Sequence, residues 1–463
     1  MFPPVERISR VWIRCVAPVL AFFVVLSVAS AQQPPAAPAP PAFTFTKVDL
    51  ELLEKSNELD RQMADRGLVY EDAQLTEYVS AVGNDVLPHG PDPENVKWRF
   101  HVLRDSIPNA FALPNGSIYV NTGLLALLEN EAQLASVLAH EETHVLNRHG
   151  YIENRSYRKK ALAANIFSGV AAAGDAAGGV GGLAAVLVGT VAPAILESTI
   201  YGYSRELEKE ADLRAVGAIN EADYSTEEMI ITFKLLDSPH EVDLSQGFYQ
   251  DHPKLKDRIA YVSEAVDGLH AHTPHPMVEE ERYFAATEKV ARDNVTMDIY
   301  AGRQRTAVAV AQRLVKKDPK SAANFRALGD AFRTLGARTP DPTPEELSSR
   351  GKKDARKSLV KLTPQEYEDS LMASPAGKAA WEANQKQSED AYRKALEIDP
   401  AEAPAHRGLG FLYERERQWK PCAEEFQKYL ELSPTAPDQA QIHRRLEAAQ
   451  KQLAANASSP ATP

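Results

Sequence analysis

The sequence predicts a mainly α-helical chain carrying one small β element, and three observations say so. Apolar residues recur at helical spacing over long stretches, as in Leu134, Val137, Leu138, Val145 and Leu146. Alternation is confined to one region, Trp98 to Leu103, with Phe111-Ala112-Leu113, a turn at Pro114-Asn115-Gly116-Ser117 and a return through Ile118-Tyr119-Val120, the pattern of a β-hairpin. From about residue 285 the texture changes to helix pairs punctuated by proline.

At 463 residues the chain is too long for one ordinary core, so two or three domains are expected. Apolar residues make up 44% and charged residues 25%, the balance of a folded protein. The formal net charge of −12 argues against nucleic acid as a partner, which needs a basic face. Cysteines number 2, Cys15 and Cys422. Removal of the N-terminus would leave a single thiol, so cysteine usage does not report the redox compartment.

Arg7, Arg10 and Arg14 precede an uncharged, mostly apolar run from Val16 to Val28, and Ala29-Ser30-Ala31 is a small-x-small cleavage pattern. Residues 1–31 therefore read as a secretory signal peptide. The run is shorter than the roughly 20 residues that span a bilayer, which leaves a retained anchor as the alternative. Residues 32–44 are a Pro/Ala-rich linker of extended character.

Residues 45–275 read as one helical domain, with helices near 48–65 and 73–87 ahead of the hairpin. Asn130 followed by Gln133 is a capping-box pattern opening the next helix, and Gly150 is placed to end it. Asp175 is the only charge between Ala161 and Leu196. The segment 161–197 is long enough to cross a membrane but rich in Gly and Ala, so a packed helical hairpin is preferred, with peripheral membrane contact as the next reading.

Residues 285–452 read as tetratricopeptide-like repeats. Pro400 and Pro434 are 34 residues apart, the period of that repeat. Leu409-Gly410 and Tyr413 fall in a first helix, Cys422 and Phe426 in a second, and Leu328-Gly329 with Phe332 repeats the phrase. Cys422 is thus a packing residue. An insertion rich in Pro and charge occupies about 337–375, and 453–463 reads as a disordered tail.

Chemistry is concentrated in His140-Glu141-Glu142-Thr143-His144. Two histidines four apart share one helix face and can reach one ion, and a Zn2+ site keeps a position open for water. Glu141 beside the first histidine is placed to act as a base towards that water, so the expected reaction is hydrolysis of a peptide bond. A third ligand is needed. A metzincin would have Gly at 147 and His at 150, where this chain has Asn147 and Gly150. His149 is preferred as a helix-end histidine that favours the helix dipole. Downstream, Ser204 is a candidate N-cap for a helix on which Glu208 and Asp212 face the same way, as a ligand and a carboxylate orienting a ligating histidine would. Glu206 and Glu210 read as a solvated acidic face, and composition does not select Glu208 over its neighbours.

The runs Asn109 to Gly116, Asn121 to Leu125, Leu138 to Glu141 and Glu208 to Asp212 together resemble the zinc metallopeptidase family of the CAAX prenyl proteases and heat-shock membrane peptidases, over roughly 50–270. The resemblance implies a gluzincin-like fold with one Zn2+ held by His140, His144 and Glu208, Glu141 as base and Asp212 as partner of a ligating histidine. Asp251-His252-Pro253, with Arg258 downstream, also resembles a family segment, and His252 is a fourth ligand that closes the site, a transition-state donor or a helix cap. Leader, peptidase domain and repeat tail look like the family's periplasmic member. That implies a protein substrate, outer-membrane assembly machinery as a repeat-bound partner, and a zinc-dependent endopeptidase of envelope protein quality control. The alternative is a latent or inactive metallopeptidase serving as a repeat-based scaffold. A membrane-embedded prenyl-protein protease is a distant third reading. Ile118, Tyr119 and Val120 are expected to offer a strand edge to an extended substrate.

Overall fold

The computed structural model describes residues 43–88, 92–168, 203–237, 255–269, 276–335 and 373–458. The leader, nearly all of the linker, most of 161–197, His252 and nearly all of the 337–375 insertion lie outside them. Residues from Thr46 onward form one compact unit.

Helix α1, Lys47–Asp65, opens at Thr46, whose N–H and hydroxyl both donate to Asp49 Oδ2 at 2.7 and 2.6 Å. Helix α2, Ala73–Val86, is capped by Asp72, which accepts from the Leu75 N–H at 3.1 Å. Three strands follow: β1, Arg99–Leu103, β2, Ala110–Ala112, and β3, Ser117–Asn121. The sheet order is β1-β3-β2, with β1 parallel and β2 antiparallel to β3. The hairpin expectation corresponds to β2 and β3, but Ile118, Tyr119 and Val120 are not an edge. Each pairs with β1 on one side and β2 on the other, and all are buried. A substrate strand has no free backbone to meet there.

Beyond the sheet lie α3, Thr122–Leu127, and α4, Glu131–Leu146. At Gly123 a Cβ would collide with the Ser106 backbone carbonyl, so only glycine admits this approach of the loop before β2. Half of the expected capping box forms at α4: Asn130 Oδ1 accepts from the Gln133 N–H at 2.9 Å, whereas Gln133 Oε1 accepts not from Asn130 but from the Glu129 N–H, at 2.7 Å. Its end differs from expectation. The helix stops at Leu146, Arg148 takes a left-handed turn at φ 60°, and α5, His149–Ser168, begins at once. Gly150 sits inside α5, where a Cβ would press on the Pro114 ring at 2.9 Å.

Helices α6, Arg205–Glu221, α7, Glu227–Asp237, and α8, Leu255–Leu269, complete the first core. Ser204 is the N-cap residue of α6, but its side chain makes no capping bond. Helix α9, Glu280–Ala301, starts before the expected change near 285 and joins two cores. Its Tyr283 and Val290 belong to the first, its Ala291 and Val295 to the next. Tyr283 donates to the Leu125 carbonyl at 2.7 Å, and Arg282 meets the buried Glu131 at 3.0 Å. The chain segment leading into α9 also caps α4, since the Val278 carbonyl accepts from the N–H groups of Glu131 and Ala132.

The remaining helices are α10, Gln304–Lys317, α11, Ala322–Leu335, α12, Pro375–Ile398, α13, Ala403–Arg415, α14, Trp419–Leu432, and α15, Gln439–Ser458. Neighbours pack in sequence order. Gly329 and Gly410 leave room for the rings of Tyr392 and Phe426 respectively. Cys422 is fully buried in this packing, and burial pushes its thiol up to about 12. The segment expected as a tail from 453 is helical as far as Ser458. Among the described residues no helix is long and apolar enough to cross a membrane.

Candidate metal centre

Helices α4 and α6 are in extensive contact. His140 and His144 stand one turn apart on α4, and Glu208 occupies the first turn of α6. All three are at most 3% exposed. His140 Nε2 lies 3.0 Å from His144 Nε2 and 3.5 Å from Glu208 Oε2, and His144 Nε2 lies 3.7 Å from Glu208 Oε1. Ligands of a tetrahedral ion with bonds of about 2.0–2.1 Å stand about 3.3 Å apart, so this donor set fits one divalent metal. Among the described residues it is the cluster of His and carboxylate groups that could hold one.

The carboxylates are held from behind. Asp212, one turn after Glu208, places Oδ1 2.9 Å from His140 Nδ1. Arg258 of α8 donates to both Asp212 oxygens, at 2.8 and 2.6 Å, and its Nη1 is 3.6 Å from Glu208 Oε2. Tyr261 donates to Asp212 at 2.5 Å. Burial pushes the Asp212 carboxyl up, but the Arg258 charge and the bond with His140 outweigh it and hold the group below its ordinary value. The Arg258 guanidinium lies 4.5 Å from the Phe233 ring centroid. The sequence named Arg258 without a part to play; no local pattern joins a residue on α8 to a carboxylate on α6.

Glu141 projects beside this cluster, 2% exposed. Burial pushes its carboxyl up to about 7; the His140 charge opposes the shift and Glu208 adds to it, while the Ala112 N–H of β2 donates to it. Glu142 is different in kind. It is 1% exposed and its two oxygens have no hydrogen-bond partner among the described residues. Burial raises its carboxyl well above the ordinary value. A raised folded value means that stability is intact below the unfolded value of 4.5 and is lost as the pH climbs. Glu142→Met is therefore expected to stabilise the fold by about 1–3 kcal/mol at pH 8, with the gain vanishing towards pH 4. Urea unfolding at the two pH values checks this; an equal shift at both contradicts it.

His149 corrects its sequence reading, while Glu210 keeps its solvated one and gains partners. His149 does not close α4 but opens α5, is fully buried, and sets its Nδ1 2.9 Å from His144 Nδ1. Burial lowers its affinity for a proton, with the Glu210 charge opposing. Glu210 is solvent-facing, yet Oε2 is 3.6 Å from His149 Nε2, and Oε1 accepts from Asn147 Nδ2 at 2.7 Å. Tyr203, just before α6, stacks on the His144 ring with centroids 4.0 Å apart at 16°. A spacing argument along an unbroken helix puts His149 on another face; the left-handed Arg148 brings it back. Glu206 makes no contact with the cluster that the structure records, and His252 lies outside the described residues.

A buried pair of helical histidines with a carboxylate from a second helix and an adjacent acidic side chain defines a metallopeptidase-type centre. Residues 73–266 match the model of peptidase family M48. The chain is 30% identical over 172 residues to the mitochondrial metalloendopeptidase OMA1 of Schizosaccharomyces pombe, covering 37% of this chain and 47% of that one. It is 26% identical over 237 residues to the beta-barrel assembly-enhancing protease of Yersinia pestis, covering 50% and 46%. With the protein of that name from Escherichia coli it shares 35% identity over 91 residues, 19% and 18% of the two chains. The chain thus spans about half the length, or less, of these relatives.

Proposed function

We propose that the protein is a zinc-dependent endopeptidase, with His140, His144 and Glu208 as metal ligands and Glu141 as general base. The observation that carries this is the mutual spacing of three buried donors, 3.0, 3.5 and 3.7 Å, beside a carboxyl poised near neutrality. Zinc in such a site polarises a carbonyl and lowers the pKa of water. The chain's own share is to fix three donors, hold Glu141 beside them, and present β2. Asn109, Phe111 and Leu113 turn their backbone groups to β3, which leaves the Ala110 groups and the Ala112 carbonyl on the outer edge, the Ala112 N–H being held by Glu141. A substrate added as a strand along β2 runs past Glu141, which already touches Ala112. This takes over the part expected of Ile118, Tyr119 and Val120.

The paired helices from α10 to α15 are read as tetratricopeptide-like repeats that hold a protein client or partner. The relatives named as beta-barrel assembly-enhancing proteases support a place in envelope quality control, in the periplasm, on exported or outer-membrane proteins. The test is cleavage of an unfolded protein such as casein. A chelator should abolish it and one equivalent of zinc should restore it, whereas Glu208→Ala should bind zinc at least tenfold more weakly and stay inactive. Chelator-insensitive cleavage, or a fully active Glu208→Ala, would reject the reading.

A further inference from the structure

The two ligating histidines are backed unequally. His140 has a carboxylate behind it, Asp212, itself gripped by Arg258 and Tyr261. The Nδ1 of His144 meets the Nδ1 of His149 at 2.9 Å, and one face of the His144 ring is covered by Tyr203. We propose that His149, steadied by Glu210, is the positioning residue for His144, doing for the second ligand what Asp212 does for the first. The proposal rests on the metal reading above.

Proton counting fixes the direction of this contact. A neutral imidazole that offers Nε2 to a metal carries its hydrogen on Nδ1. His144 Nε2 is the atom that faces His140 and Glu208, so its Nδ1 must donate. Across from it, at 2.9 Å, stands His149 Nδ1, which must then accept and carry its own hydrogen on Nε2. That second hydrogen points towards Glu210 Oε2 at 3.6 Å, a charge contact longer than a hydrogen bond. Glu210 is kept in place by Asn147 Nδ2, and Asn147 Oδ1 accepts from Arg214 at 2.8 Å. The whole chain, His144 to His149 to Glu210, is internally consistent with one tautomer at each ring. The left-handed turn at Arg148 is what allows a residue five positions after His144 to reach behind it.

Groups backing a metal-bound histidine are worth about 10–100-fold in metal affinity. The experiment measures zinc affinity by competition with a chromogenic chelator, and the visible spectrum of the Co2+-substituted protein, for full-length wild type and variants. His149→Leu should bind zinc about 10–100-fold more weakly and shift the cobalt bands, with an unchanged far-UV circular dichroism spectrum. His149→Asn, whose amide oxygen falls where Nδ1 stands, should recover most of the affinity; His149→Gln, whose amide reaches the Nε2 position, should not. Wild-type affinity and spectrum in His149→Leu, or an Asn variant no better than Gln, overturns the proposal. Should His149→Leu fail to fold, the contrast between Asn and Gln decides alone. His144→Ala separates the two levels: if it too binds zinc like wild type, the metal reading itself fails, whereas loss in His144→Ala without loss in His149→Leu removes only the positioning role.

Discussion

Glu141→Gln is expected to lower kcat/KM for peptide cleavage by about 10²–10⁴-fold while zinc content stays at that of the wild type. The carboxylate lies beside the donor cluster without being part of it, so its loss removes a proton acceptor and leaves the ligands in place. The same variant has a stability signature. In the metal-free protein the Glu141 carboxyl sits near 7, above its ordinary 4.5. A group raised on folding contributes fully below the unfolded value and less as pH rises through the folded one, so burying this ionised carboxylate costs stability above neutral pH. Metal-free Glu141→Gln should therefore be more stable than wild type at pH 8, by about 2–3 kcal/mol, and equal to it near pH 4. With zinc bound as proposed, its positive charge would move this value down. Activity then falls on the acid side at a pH below 7, and that limb is absent from the residual rate of Glu141→Gln. An active Gln variant would remove Glu141 from the chemistry.

Arg258→Met carries the largest expected cost to folding. Arg258 is 1% exposed and faces Asp212 and Glu208, both fully buried. Removing it strands two carboxylates that its charge had compensated, and breaking a buried charge network in this way costs about 3–5 kcal/mol. Lysine at the position should rescue little, because one ammonium does not reproduce a fork that spans both Asp212 oxygens while its third nitrogen reaches Glu208. The measurement is the urea midpoint at pH 7 for wild type, Arg258→Met and Arg258→Lys. A midpoint unmoved in the Met variant contradicts the account of Arg258 as the counter-charge of the site.

How much of this was legible in the sequence depended on how local each signal was. Helix α4 was legible because its cap, its apolar stripe and its histidine pair all lie within one turn-by-turn pattern. Glu208 was not selected by composition: four acidic residues crowd the start of α6, and only the packing of α6 on α4 decides which of them turns inward. Resemblance supplied that choice. The strand edge was misassigned because the pairing of β1 with β3 is parallel and bridges residues 99–103 to 117–121, a contact that no short-range pattern announces. His149 was misread because helical spacing was carried past Arg148, where the backbone turns left-handed. Arg258 is separated from Asp212 by 46 residues, and its role exists only once α8 is packed. The same reasoning explains α9. A change of texture near 285 suggests a border between domains, but the apolar residues of one helix serve cores on both sides of that border.

That shared helix ties the helices after it to the core that carries α4. Arg282, Tyr283 and the Val278 carbonyl grip the α3–α4 corner, so the start of α9 and the helix of the histidine pair are fastened to each other by both side-chain and backbone bonds. A substitution that loosens Arg282 or Tyr283 is thus felt in two cores at once.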